Sequence, residues 1–258
     1  MAAKSVGFIG GGRIVSILLD GWARARATPG KVVIFDCNQD VLNKLRARHG
    51  LVQTTGDLSA AAGQDIVFLA VHPPVMKDVL PQVRAGLKKD AVLVSLAPKF
   101  TIAKLSEMLG GFSRIARMIP NAPSVVGRGY NPTAFGGQVG GPDKSDLLKL
   151  FSALGDCPEV PEPHLEAYAI VTAMGPTYFW PQLYELKSLA ESFGLSPQAA
   201  MEAVDKMLSG AAATVRDSGL TGEQVQDLIP VKPMAEDVSL IVNAYRQKLT
   251  GLMEKLRP

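Results

Sequence analysis

Three consecutive glycines, Gly10-Gly11-Gly12, stand between an apolar run at 4–9 and a stretch with helical spacing at 14–25. A strand that turns through glycines directly into a helix is the opening unit of a dinucleotide-binding α/β domain. Gly10 permits the tight turn. Gly12 carries no Cβ, so a pyrophosphate can approach the backbone and meet the positive end of the helix. Val15 occupies the third position of this fingerprint, where glycine or alanine is usual, so the match is imperfect. A β-branched run at 31–35 follows the helix and ends in Asp36. An acid there can accept hydrogen bonds from the adenosine ribose hydroxyls and repel a 2′-phosphate. The alternative is an ordinary turn residue after a strand.

Alternation continues beyond this point. Helical spacing at 41–49 leads to a short strand at 52–54. The run Asp65-Ile66-Val67-Phe68-Leu69-Ala70-Val71 is apolar on both faces, as a strand inside a parallel sheet must be. Then come a helix at 73–83 with proline near its start, a strand at 91–96, a helix at 102–109 and a strand at 113–118. This rhythm predicts a doubly wound parallel sheet. A Pro/Gly-rich stretch at 120–142 interrupts it. An added strand at 133–135 and a helix at 144–154 are expected next, and Pro158, Pro161 and Pro163 form a stiff junction. Past the junction the pattern is helical: 164–173, 176–193, 197–217, 222–228 and 236–255. The expected architecture is therefore α/β, with an N-terminal Rossmann domain over 1–157 and an all-helical C-terminal domain over 158–258. The helical half, rich in Ala, Leu and Met, is expected to form a homodimer or larger homo-oligomer. The alternative is that it packs only on its own sheet.

Composition excludes several classes. Of 258 residues, 47% are apolar and 20% charged, which is globular rather than disordered. The 27 basic and 24 acidic residues leave a net charge of +3, too mild and too scattered for a nucleic-acid partner. No apolar stretch reaches the roughly 18 residues of a membrane span, and no signal-peptide pattern precedes the first strand. A cytoplasmic protein is expected. Cys37 and Cys157 lack metal-ligand spacing; one disulfide is formally possible, and a reduced pair is expected. No metal site is expected.

Four further motifs sharpen the reading. They are Gly7-Phe8-Ile9-Gly10-Gly11-Gly12-Arg13-Ile14, Ala70-Val71-His72-Pro73, the segment Arg117 to Pro123 with Asn121 between two prolines, and Thr172-Ala173-Met174-Gly175-Pro176-Thr177-Tyr178. In order and spacing the chain resembles the pyrroline-5-carboxylate reductase family almost end to end. The resemblance implies a Rossmann domain followed by a helical domain that interlocks two subunits. It implies an NAD cofactor, with NADP possible, held by Gly10, Gly11, Gly12, Arg13, Ile14, Asp36, Ala70, Val71, His72, Pro73, Ala97 and Asn121. It also implies a small-molecule substrate near Met174, Gly175, Pro176 and Lys232. Thr172 and Tyr178 are the candidate catalytic hydroxyls.

The departures bear on substrate and cofactor. The family carries a Ser-Pro-Gly-Gly-Thr-Thr loop that holds the substrate carboxylate; here the stretch is Val231-Lys232-Pro233-Met234-Ala235-Glu236-Asp237. Lys232 can stand in for the lost amides, or be a solvated surface lysine. Ala173 and Met174 replace small or hydroxylic family residues before Gly175. His72 stands for a family lysine, and Cys37 for an arginine that many relatives place after the second strand. Hydride transfer to the C=N bond of a small cyclic imine is the first functional reading. A nucleotide-binding homologue without turnover, or a reductase of another substrate, is the alternative. A β-hydroxy-acid dehydrogenase is the weakest reading, because Lys187 and Lys206 lack the expected neighbours.

Overall fold

A computed structural model describes residues 4–257. Strands β1 (Val6–Ile9), β2 (Val32–Phe35), β3 (Val52–Thr55), β4 (Ile66–Leu69), β5 (Val92–Ser95) and β6 (Ile115–Met118) pair in parallel. Two short strands follow, β7 (Gly129–Tyr130) and β8 (Thr133–Phe135). The main sheet runs β3-β2-β1-β4-β5-β6-β8, with β8 antiparallel to β6. A last strand, β9 (Gly155–Asp156), pairs only with β7. Every residue of β1, β4, β5 and β6 is buried. Helices cover both faces, which is why these strands are apolar at successive positions rather than alternate ones.

Those helices are α1 (Arg13–Arg24), α2 (Gln39–Arg48), α3 (Leu58–Ala62), α4 (Met76–Gly86), α5 (Ile102–Met108) and α6 (Gly141–Phe151). Side chains of α1, α2 and α6 share one core with Phe8 and Phe68. There Phe8 stacks on Phe68 at 4.8 Å between ring centroids, and buried Trp22 donates its indole N–H to the Leu150 carbonyl at 3.0 Å. Side chains of α3, α4 and α5 build the second core around Ile9, Val67, Leu69 and Leu93. Asn38, Asp57 and Thr101 cap α2, α3 and α5 with their side chains. Helix α1 has no such cap and no acid in its first turn. Its amides are left facing the sheet edge.

The structure departs from the sequence expectations in three places. Helix α3 is not visible as a period, because three of its five residues are alanines; a Cβ on Gly7 would overlap its Ala61 carbonyl oxygen. The helix expected over 73–83 opens as a 3₁₀ turn, Pro73–Val75, and α4 then runs on to Gly86 with Pro81 inside it. The helix expected over 164–173 is composite. A 3₁₀ turn, Glu162–His164, leads into α7 (Leu165–Tyr168) and then a π-turn, Ala169–Ala173, closed by the Met174 N–H on the Ala169 carbonyl at 3.0 Å.

By contacts the chain divides into two compact units, 4–174 with 252–257, and Gly175–Gly251. The proline junction and α7 are thus continuous with the first unit. Val160 donates to the Thr133 carbonyl, and Glu162 and Glu166 pair with Arg117 of β6. The second unit is all helix, as its spacing predicts: α8 (Pro176–Ser192), α9 (Pro197–Asp217), α10 (Gly222–Asp227) and most of α11 (Val238–Leu256). Ser196 caps α9, and Thr221 with Gln224 forms a reciprocal capping box on α10. Among the described residues no helix is long and apolar enough to cross a membrane. The thiols of Cys37 and Cys157 are both free. Burial pushes the Cys157 thiol up to about 11.

Candidate dinucleotide site at the sheet edge

Parallel strands end on one side, so the segments after β1, β2, β4, β5 and β6 share one edge of the sheet. The strand order reverses between β1 and β4, the place where open α/β sheets bind ligands. The glycine turn lies there, and its three glycines stand in different surroundings. Gly10 has φ +101°, and a Cβ on it would lie 2.6 Å from the Ala70 carbonyl oxygen. Gly11 is buried, and a Cβ there would press on Leu45 and Val41 at 2.9 and 3.0 Å. Gly12 has an ordinary φ of −67°, and a Cβ on it would meet nothing within 4 Å. Nothing in the protein therefore demands glycine at position 12. The open face beside the uncapped α1 terminus fits an anionic pyrophosphate. Arg13 is exposed and Ile14 half-buried at this terminus. Val15, at the third fingerprint position, is fully buried and serves the core behind the turn.

Asp36 follows β2 directly and is tied to the turn. Its Oδ2 accepts the Gly11 N–H at 2.7 Å, and its Oδ1 accepts the Asn38 N–H at 2.8 Å. After β4, Ala70 and Val71 pack under Gly10, while His72 is exposed and begins the 3₁₀ turn at Pro73. After β5, Ala97 is almost closed off at 4% exposure, and its amide donates to Ser95 Oγ at 3.4 Å.

Asn121, after β6, is built into the protein. Its Nδ2 donates to the Thr172 carbonyl at 3.1 Å, and its Oδ1 accepts the Tyr130 N–H at 3.1 Å. Its own N–H donates to Asn131 Oδ1 at 3.0 Å. This residue thus fastens the post-β6 loop to the π-turn, a helix irregularity that often marks functional sites. The Thr172 hydroxyl donates back to the Tyr168 carbonyl at 2.8 Å.

A group that the sequence reading passed over holds these segments together. Arg117, fully buried on β6, donates to Glu162 Oε1 at 3.0 Å and to Glu166 Oε1 at 2.6 Å. The same two oxygens accept the Ile102 and Lys99 amides, at 2.6 and 3.1 Å. Lys99 is held at φ +72° by this arrangement. One arginine thereby joins β6, the post-β5 loop and the start of α7. The sequence signal was Arg117 itself, a charge inside a strand that otherwise reads as buried.

Other candidates belong to the helical unit. Gly175 and Pro176 open α8, with Pro176 at its first position. Two turns of helix, α8 and α11, bring Tyr178 against Tyr245, edge-on at 5.8 Å between centroids. Burial first, and Tyr245 second, raise the Tyr178 phenol above its usual value, so it is a neutral O–H at physiological pH. Lys232 lies exposed between α10 and α11 and lines an open cleft that Glu223 and Asp227 also line. Met174, by contrast, is the last residue of this stretch of the first unit and closes the π-turn.

Comparison with known proteins gives a consistent result. A family described as NADP oxidoreductase, coenzyme F420-dependent, matches residues 5–99. The pyrroline-5-carboxylate reductase of Mycobacterium tuberculosis is 30% identical over 214 residues, 81% of this chain and 72% of that protein. The Escherichia coli enzyme of the same name is 26% identical over 227 residues, 88% of this chain and 84% of that protein. A crystal structure of Plasmodium falciparum pyrroline carboxylate reductase with NADP bound shares the fold at a TM-score of 0.80 and 23% identity, covering 99% of this chain and 96% of that one. The pyrroline-5-carboxylate reductase of Coxiella burnetii does so at 0.74 and 24%, covering 99% of each chain.

Proposed function

The chain belongs to the pyrroline-5-carboxylate reductase family, and from that premise we propose that it transfers a hydride from a reduced nicotinamide dinucleotide to the C=N carbon of a small cyclic imine. It is an NAD(P)-dependent oxidoreductase. The observation that carries the reading is the open face over Gly12, set between an uncapped helix terminus and the switch point of the sheet. Gly10 to Gly12 with the first amides of α1 would hold the pyrophosphate, and Asp36 the adenosine ribose. The segments at Ala70 to Pro73, Ala97 and Asn121 would line the remainder of the edge. The bound nicotinamide supplies the hydride.

The demands left to the protein are binding, orientation and proton placement. A cyclic imine protonated in solution brings its own proton, so the nitrogen can take the C=N electron pair without an acid from the chain. The Thr172 hydroxyl has its hydrogen committed to the Tyr168 carbonyl. What it offers an iminium N–H is therefore an acceptor lone pair. Tyr178, whose phenol burial and Tyr245 raise above its usual value, is the second candidate hydroxyl. Lys232 is the candidate partner for an anionic substituent on the substrate.

The test is NADH and NADPH oxidation with a panel of cyclic imines, with and without a ring carboxylate, alongside direct cofactor binding. Turnover of at least one imine is expected. Pyrroline-5-carboxylate itself should react more slowly than with a relative that keeps the glycine- and hydroxyl-rich loop, by a factor on the order of 100 or more, since sites built to pair a polar group lose much when that pairing goes. A second reading, cofactor binding without turnover, is favoured by the exposed 231–237 stretch, which holds neither glycine nor hydroxyl. Tight cofactor binding with no oxidation by any imine would establish that second reading instead.

A further inference from the structure

We infer that Asp36 makes this protein selective for NADH over NADPH, an inference that rests on the dinucleotide reading of the glycine turn. Selectivity here is a matter of donors and acceptors. A 2′-hydroxyl can donate to a carboxylate; a 2′-phosphate brings acceptors and up to two negative charges. Asp36 is an acceptor that is not free to turn away. Oδ2 is fixed by the Gly11 amide and Oδ1 by the Asn38 amide, so rotation would break two charge-assisted hydrogen bonds at once. Each oxygen keeps a lone pair for an incoming hydroxyl.

The segment after Asp36 offers a phosphate no compensation. Cys37 is exposed and supplies no cation. The Asn38 side chain is occupied in capping α2, accepting the Asp40 and Val41 amides at 2.9 and 3.4 Å. Asp40 adds a second carboxylate in the same helical turn. From 36 to 40 the chain reads Asp-Cys-Asn-Gln-Asp, with two acids and no cation. Arg13, exposed at the first residue of α1, is the cation of the turn itself. NADP is bound in the Plasmodium structure and named in the matching family's description, so a preference for NADH would set this chain apart from them.

Calorimetric titration of the full chain with NADH and with NADPH tests the inference. Variants are Cys37→Arg, Asp36→Ser with Cys37→Arg, and Arg13→Ala, each checked by its melting curve. The unsubstituted chain is expected to bind NADH at least tenfold more tightly, about 1.4 kcal/mol. Cys37→Arg keeps the carboxylate and its backbone bonds, so it stays informative even where loss of Asp36 unsettles the turn; it should raise NADPH affinity severalfold. The double variant should move preference to NADPH. Arg13→Ala removes the cation of the turn that could reach a 2′-phosphate, and should widen the preference for NADH. Equal affinities, or tighter NADPH binding, in the unsubstituted chain would overturn the inference while leaving the dinucleotide site intact. Binding of neither cofactor would overturn the site reading, and the selectivity with it.

Discussion

At the scale of single residues, the three glycines separate what the fold needs from what a ligand needs. Gly10 answers to backbone strain and to the Ala70 carbonyl, and Gly11 to Leu45 and Val41. A side chain at either would disturb the turn itself. Gly12 has an ordinary φ and open space above it. Gly12→Val is therefore expected to leave the melting temperature near that of the parent, while NADH affinity by calorimetry falls at least tenfold. An unchanged affinity would remove the pyrophosphate from this face. The place of Gly12 in a strand-turn-helix unit was legible in the sequence because that context is local. The ties of Asn121 were not: its partners are Tyr130, Asn131 and Thr172, and nothing in the short loop at 119–123 announces them.

At the scale of elements, the buried arginine on β6 is the main coupling. Arg117 pairs with Glu162 and Glu166, and those carboxylates also hold the Lys99 and Ile102 amides. Removing Arg117 leaves the buried Glu166 carboxylate without its counter-charge, at a cost of about 3–5 kcal/mol. Arg117→Met is expected to destabilise by that order in urea unfolding. Pairing it with Glu166→Leu should recover part of the loss, because the orphaned carboxylate goes too. A double variant less stable than the single would mean that Glu166 acts through the Lys99 amide rather than through Arg117. Strands β1 to β6 could be read from the sequence because burial on both faces writes continuous apolar runs. The π-turn at Ala169–Ala173 could not, since its wider pitch depends on which carbonyls neighbouring side chains take up.

At the scale of the molecule, the helical unit stands out by what it leaves uncovered. In Gly175–Gly251 only Ala200 and Val204 are buried apolar side chains. Phe193, Val231, Leu240 and Tyr184 are 69–80% exposed. Apolar exposure on this scale is what an association surface would present before its partner covers it. Light scattering on the full chain at micromolar concentration should give a dimer or larger, and Leu240→Glu on α11 should shift the population toward monomer. A monomeric parent chain would show that the unit stays uncovered.

The sequence by itself determined the glycine turn, the acid after β2, the alternation that becomes a parallel sheet, and the change to helices beyond the proline junction. Each is written in neighbouring residues or in a periodicity that survives without a partner. Only the tertiary structure decided that 158–174 associates with the Rossmann unit, that Asn121 serves the π-turn, and that Arg117 holds three segments at once. Those outcomes depend on groups separated by 45 and more residues along the chain. A buried charge must find its counter-charge wherever the fold brings one near, and no local pattern records where that will be.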